Sequence, residues 1–143
     1  MRRVVFAVLL MAVVTAASDM QSSWTPTTWT TENTVELRTT DPGEEAHWFP
    51  VWVVTIDGDL YVRLGSRAAA RFDRNTQKNI IGVRIAGKTF ERVRGVIEPE
   101  KTAAVNAAMG EKYWWQGDFL VRYVSHPYTM RLEPEPSGAA AGP

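Results

Sequence analysis

The feature that most constrains this chain is a two-residue break, Asp57-Gly58, between two runs of strand-forming residues, "WFPVWVVTI" before it and "DLYVRL" after it. An Asp-Gly pair suits the type I′ turn, whose two central residues need positive φ and whose twist matches that of antiparallel neighbours. The chain is therefore expected to hold an antiparallel hairpin near its middle. The first arm, 48–56, is almost continuously apolar, aromatic or β-branched, which predicts a strand buried on both faces. Pro50 lacks an N–H and places the start of that strand at an edge or a bulge. The second arm alternates, with Leu60, Val62 and Leu64 on one face and Tyr61 and Arg63 on the other.

The same two periodicities recur on either side. Residues 34–40, "TVELRTT", alternate as a half-buried strand carrying Val35 and Leu37, and "DPGEE" turns the chain. Behind Gly65 the period changes to that of a helix over 66–78. Ser66 is its candidate N-cap, Phe72 packs over Ala68 and Ala69, and Arg67, Arg71, Arg74 and Lys78 share one face. "IIGVRIAGKTFERVRGVIE" (80–98) reads as a second hairpin with Gly87 near its turn, burying Val83, Ile85, Phe90 and Val93. Pro99 opens a second helix that reaches Gly110 to Lys112, with Ala104, Val105, Ala108 and Met109 as its apolar stripe. "YWWQGD" is expected to turn the chain, and "FLVRYV" and "YTMRLEP" to supply one or two closing strands. Five or six antiparallel strands with two short helices make a mainly β domain over 34–134, a small barrel or a strongly curved sheet.

The flanks read differently. Arg2 and Arg3, the apolar run 4–14 and the small residues of "TAAS" follow the order of a secretory signal over 1–18. The run is shorter than the roughly 20 residues a membrane span needs. The expectation is a cleaved leader and an exported domain, periplasmic or secreted, with no stable span after processing; an uncleaved anchor is the alternative. Residues 19–33, rich in Ser and Thr, are a linker or a short segment that packs Trp24 and Trp29 onto the domain, and 135–143 is a loose tail. The absence of cysteine excludes thiol nucleophiles, thiolate metal centres and disulfides. His47 and His126 form no ligand motif, so no metal site is expected.

The formal net charge is zero, yet Arg63 to Arg94 holds nine basic residues against two acids, which is +7 there and −7 elsewhere. Such a split points to an anionic ligand met by one region. A helix start behind Gly65 offers free N–H groups and the positive dipole end, Ser66 adds a hydroxyl, and Arg63 and Arg67 can fork onto phosphate oxygens. Arg67 in a first turn opposes the helix dipole, which an anion there would relieve. Arg71 and Arg74 continue the stripe. The competing reading is a solvated, Arg-rich surface helix. Trp48 and Trp52 flank a planar ring or are plain core, and Trp114-Trp115 are packing or dimer contacts. Basic and aromatic residues interleave only at Tyr61 and Arg63, so a nucleic-acid partner is not expected. No nucleophile elbow or paired carboxylate is present, and no catalytic residue is named.

The order "PVWVV" (50–54), "DGDLYVR" (57–63), "RFDRN" (71–75), "VRIAGKTFE" (83–91), "KYWW" (112–115) and "RLEP" (131–134) resembles the pyridoxamine-phosphate-oxidase-like, FMN-binding split β-barrel superfamily over about 34–135. The resemblance implies a six-stranded antiparallel split β-barrel, a homodimer, and FMN or a related flavin or deazaflavin at the dimer interface. It implies a phosphate site at Arg63, Ser66 and Arg67, with Arg71 beside them. The ring would lie against the main chain of Pro50, Val51 and Trp52, and the chemistry would be oxidoreduction by the cofactor. Leu64 stands where related chains often carry a serine, which removes one phosphate partner, and a secretory leader departs from cytoplasmic members. The second function class is a non-catalytic carrier of haem or an apolar ligand on the same barrel.

Overall fold

The computed structural model describes residues 23–123 and 127–135, with backbone alone for 114–123. The leader read at 1–18, His126, the Trp114-Trp115 side chains and the tail from 136 lie outside the described residues. Six strands, β1 (Thr34–Thr39), β2 (His47–Ile56), β3 (Asp59–Leu64), β4 (Ile80–Ile85), β5 (Lys88–Ile97) and β6 (Tyr128–Pro134), alternate with two helices, α1 (Ser66–Asp73) and α2 (Thr102–Tyr123). The strands close a barrel in the order β1-β2-β3-β6-β5-β4 with antiparallel pairing throughout. This is the mainly β, six-stranded antiparallel architecture expected from the sequence.

Asp57 and Gly58 adopt φ of 51° and 80°, and the turn pairs Ile56 with Asp59. The apolar positions assigned to the buried faces of β1, β3, β4 and β5 (Val35, Leu37, Leu60, Val62, Leu64, Val83, Ile85, Phe90 and Val93) all enter one interior cluster, joined by Met130 and Leu132 of β6. β2 is shared between two partners. Residues 47–52 pair with β1, and 53–56 pair with β3. The expectation that this strand is buried on both faces is therefore wrong for its first half, and only Val53 and Val54 are fully buried. Pro50 lies opposite Glu36 in that half, where a missing N–H costs no second ladder.

One pair of alternatives resolves, and three further expectations need correction. Trp29 is buried in the interior cluster, and Trp24 and Phe90 meet edge to face with centroids 4.9 Å apart. Thr55 also donates to the Pro26 carbonyl at 3.0 Å. The part of 19–33 that is described, from Ser23, thus follows the second of the two readings, a short segment that packs Trp24 and Trp29 onto the domain. α1 ends at Asp73, not Lys78, because the buried Asn75 captures the chain: its Oδ1 accepts from Thr40 N–H at 3.0 Å, and its Nδ2 donates to the Lys78 and Ile80 carbonyls, both at 2.8 Å. Lys78 then takes a φ of 60°. Gly65, not Ser66, is the N-cap, with no side-chain capping bond. Lastly, α2 runs through "YWWQGD" and "FLVRY" to Tyr123, where a turn and a strand were expected. Gly110 costs a helix about 1 kcal/mol relative to alanine, and the four-residue spacing of Val105, Met109 and Tyr113 against Val54 and Tyr61 outweighs it.

Candidate functional site

The outer face of β2 and β3 carries a second, smaller cluster, Val54 and Tyr61 under Val105 and Met109 of α2, with Trp52 and Tyr113 packed at its margin. The Tyr113 ring lies parallel to Trp52, centroids 4.6 Å apart and planes 14° from parallel. Its hydroxyl accepts from Val53 N–H at 3.2 Å and sits 2.6 Å from the Val53 carbonyl and 2.5 Å from that of Asn33. Lys112 Nζ donates to the Val53 carbonyl at 3.0 Å and to the Glu32 carbonyl. The strand pairing explains why helix side chains reach main chain here. Thr34, the first residue of β1, pairs with Trp52, so beyond Trp52 this edge of β2 has no strand, and α2 supplies the missing partners. Burial lowers the Lys112 pKa against the opposing pull of Glu32, and burial raises that of Tyr113.

The predicted site residues fall into two groups. One step along the Val53–Val62 register sets Arg63 beside Trp52 on the face beneath α2. Arg63 donates to Asn106 Oδ1 of that helix, and burial lowers its pKa. Ser66 and Arg67 lie exposed at the start of α1, whose first turn holds no acid and no side-chain cap. Arg71, half-buried, sets its guanidinium 5.9 Å from the Phe49 ring centroid and links α1 to the first half of β2. Pro50 is exposed, and Val51 and Trp52 are half-buried. Sequence neighbours Arg63 and Ser66 thus serve different faces: the arginine is turned under α2 and the serine opens to solvent.

The charge asymmetry is answered in part inside the chain. Four of the nine cations meet acids from outside their segment: Arg74 with Asp41 at 2.9 Å, Arg84 with Glu36 at 2.8 Å, Arg92 with Glu135 at 2.5 Å and Arg94 with Glu133 at 3.5 Å. Arg74, read as an extension of a ligand stripe, is one of these. Among the described residues Arg67 has no ion-pair partner. Trp48 and Trp52 have different partners: the guanidinia of Arg38 and Arg84 lie 5.2 and 4.0 Å from the Trp48 ring centroid, and Trp52 stacks on Tyr113. Below α2, Tyr61 and Arg131 both donate to Glu98, at 3.2 and 2.7 Å. Burial and Glu98 raise the Tyr61 pKa to about 12, while the Arg131 hydrogen bond lowers that of Glu98. Asn75, Asn106, Lys112 and Tyr113 were not singled out by sequence; "FDRN" and "KYWW" contain three of them, but nothing local marks their long-range partners.

Chemically, the α1 start can receive an anion, since Ser66 and Arg67 are exposed and no side chain caps the first turn. The β2 edge offers a stacking face and main-chain donors and acceptors. Solved structures similar to the chain share this barrel. HutZ, the haem storage protein of Vibrio cholerae, is 21% identical with a TM-score of 0.56, over 76% of this chain and 87% of that one. These neighbours are pyridoxamine-phosphate-oxidase-like split-barrel proteins, and the chain shares their fold. Campylobacter jejuni ChuZ shares the split barrel at 13% identity and a TM-score of 0.54, over 72% of this chain and 48% of that one. An F420-H2-dependent reductase, FDR-A, shares it at 14% and 0.52, over 71% of this chain and 95% of that one. No family model matches the sequence, and no curated protein matches it at a significant level.

Proposed function

We propose that this split-barrel protein is exported, forms a homodimer and binds a phosphate-bearing flavin-type cofactor, FMN or a deazaflavin, for oxidoreduction. The observation that carries the reading is the open start of α1, where an arginine in the first turn meets no acid, no side-chain cap and no ion-pair partner among the described residues. The phosphate would meet Ser66, Arg67 and the first-turn N–H groups, with Arg71 alongside. Arg63, turned under α2 toward Asn106, would stand on the ring's side rather than the phosphate's, and the ring would lie toward the main chain of Pro50 to Trp52. A bound flavin supplies the hydride or electron transfer; the chain supplies orientation and charge. The partially exposed first half of β2 supports self-association, because paired copies would cover it.

Titration of FMN into wild type, Arg67→Ala and Lys78→Ala, followed by flavin fluorescence, tests the clamp. Arg67→Ala is expected to weaken binding about ten- to a hundredfold, the range of a charged hydrogen bond, and Lys78→Ala to leave it unchanged. No FMN binding by wild type, or equal losses in both variants, would overturn it. Light scattering tests the dimer, and N-terminal sequencing of the exported chain should find a start between Ala17 and Met20. A second reading, a haem carrier without catalysis, is favoured by the similarity to HutZ. Haem titration with a Soret band, and no flavin bound, would select it.

A further inference from the structure

We propose that Tyr113 is an internal stand-in for a planar heterocycle with an imide edge (C=O, N–H, C=O), filling a subsite made of the Trp52 face, the Val53 main chain and Lys112. The inference rests on the reading of the barrel as a carrier of a planar, phosphate-bearing cofactor and assigns that reading residues of this chain.

Three observations converge. The Tyr113–Trp52 stack, 4.6 Å and 14°, is the contact a flat ligand ring would make. The phenol is a poor match for the polar edge it meets. Its one proton faces two carbonyl oxygens, of Val53 at 2.6 Å and Asn33 at 2.5 Å, and so serves one at a time. Val53 N–H is divided between the phenol oxygen at 3.2 Å and the Asn33 carbonyl at 3.3 Å. That edge displays a donor (Val53 N–H), acceptors (the Val53 and Asn33 carbonyls) and a second donor (Lys112 Nζ), the complement of an imide. A ligand imide N–H would meet a carbonyl while its two carbonyls met Val53 N–H and Lys112. Tyr113 therefore competes with the ligand, and the closed population lowers apparent affinity by the fraction of chains held shut. Tyr113 is a gating residue and Lys112 a ligand-positioning one.

The test uses the full chain and two probes, riboflavin, which has the ring without phosphate, and FMN. Tyr113→Ala is expected to bind riboflavin about tenfold more tightly than wild type, the worth of one stack and one neutral hydrogen bond, although its melting temperature falls. Tyr113→Phe keeps the stack, frees the Val53 edge and should show a smaller gain. Lys112→Met should lose riboflavin affinity in the Tyr113→Ala background. A merely structural Tyr113 would lower stability and ligand affinity together, and that result overturns the proposal. The phosphate reading is judged separately, by the FMN-to-riboflavin affinity ratio in wild type and Arg67→Ala. A ratio near one with the Tyr113 gain intact sinks the phosphate clamp and leaves the subsite. A high ratio with no Tyr113 gain does the reverse. No flavin binding by any variant overturns the subsite.

Discussion

Replacing Asn75 by alanine should be among the most costly polar substitutions in the chain. Its side chain is 7% exposed and makes three hydrogen bonds, to Thr40 N–H and to the Lys78 and Ile80 carbonyls. Each such bond is worth about 0.5–1.5 kcal/mol net, and buried partners left unpaired add to the loss. Water can reach Thr40, which is half-exposed, so we expect a loss of about 3 kcal/mol rather than the upper sum. For a domain of this size that is about 10 °C in melting temperature. Asn75→Asp should be no better at neutral pH, since it keeps the acceptor for Thr40 but turns a carboxylate oxygen toward two carbonyls. Part of its loss should return on acidification. Urea unfolding of the three proteins, read by tryptophan fluorescence, measures the differences. A loss under about 1 kcal/mol for Asn75→Ala would refute the claim that this side chain ends α1.

Gly95→Ala puts a Cβ 2.5 Å from Met130 Sδ and 3.0 Å from Phe72 Cε2, and Met130 is fully buried, so overpacking should cost about 1–3 kcal/mol by thermal melt. Trp29→Ala should cost about 3–5 kcal/mol, as a large core truncation does, whereas a linker tryptophan would cost nothing measurable. The Glu98 pKa is lowered in the folded state, so its stabilisation is present above the ordinary carboxylate range and is lost as pH falls through the folded value. Glu98→Gln should flatten that acid limb in pH-dependent denaturation. The Tyr61 pKa is raised from 10.0 to about 12, so its contribution is full below 10.0 and is lost as pH rises toward 12. Tyr61→Phe should remove that alkaline loss.

The barrel was legible because its determinants are local. Asp57-Gly58 dictates a turn, and period-two alternation assigns each of Leu60, Val62 and Leu64 to the interior without knowledge of any partner. The errors share a cause, which is a partner distant in sequence. Asn75 stops α1 by bonding to Thr40, and Gly110 does not stop α2 because Tyr113 is anchored at Val53 and Asn33. The placement of the candidate residues was half legible. Glycine, serine and arginine at a strand-to-helix junction have a local meaning, whereas the direction of Arg63, under α2 toward Asn106, depends on how that helix docks. Net charge by segment does not show which arginines are already paired, because Asp41, Glu36, Glu135 and Glu133 reach theirs through the folded chain.

The place of α2 in the chain, between β5 and β6, bears on how the protein folds. The two local hairpins can form within about 1–10 μs. Closing the barrel pairs Leu60 with Leu132, and that long loop is slow to find. α2 precedes β6 in the chain and packs across β2 and β3, so the face under Tyr113 is complete only once the helix has docked on the first hairpin. Nothing earlier on the pathway offers a ligand the whole surface. Whatever binds there should lengthen the life of the native state by slowing unfolding, and should leave the refolding rate where it was.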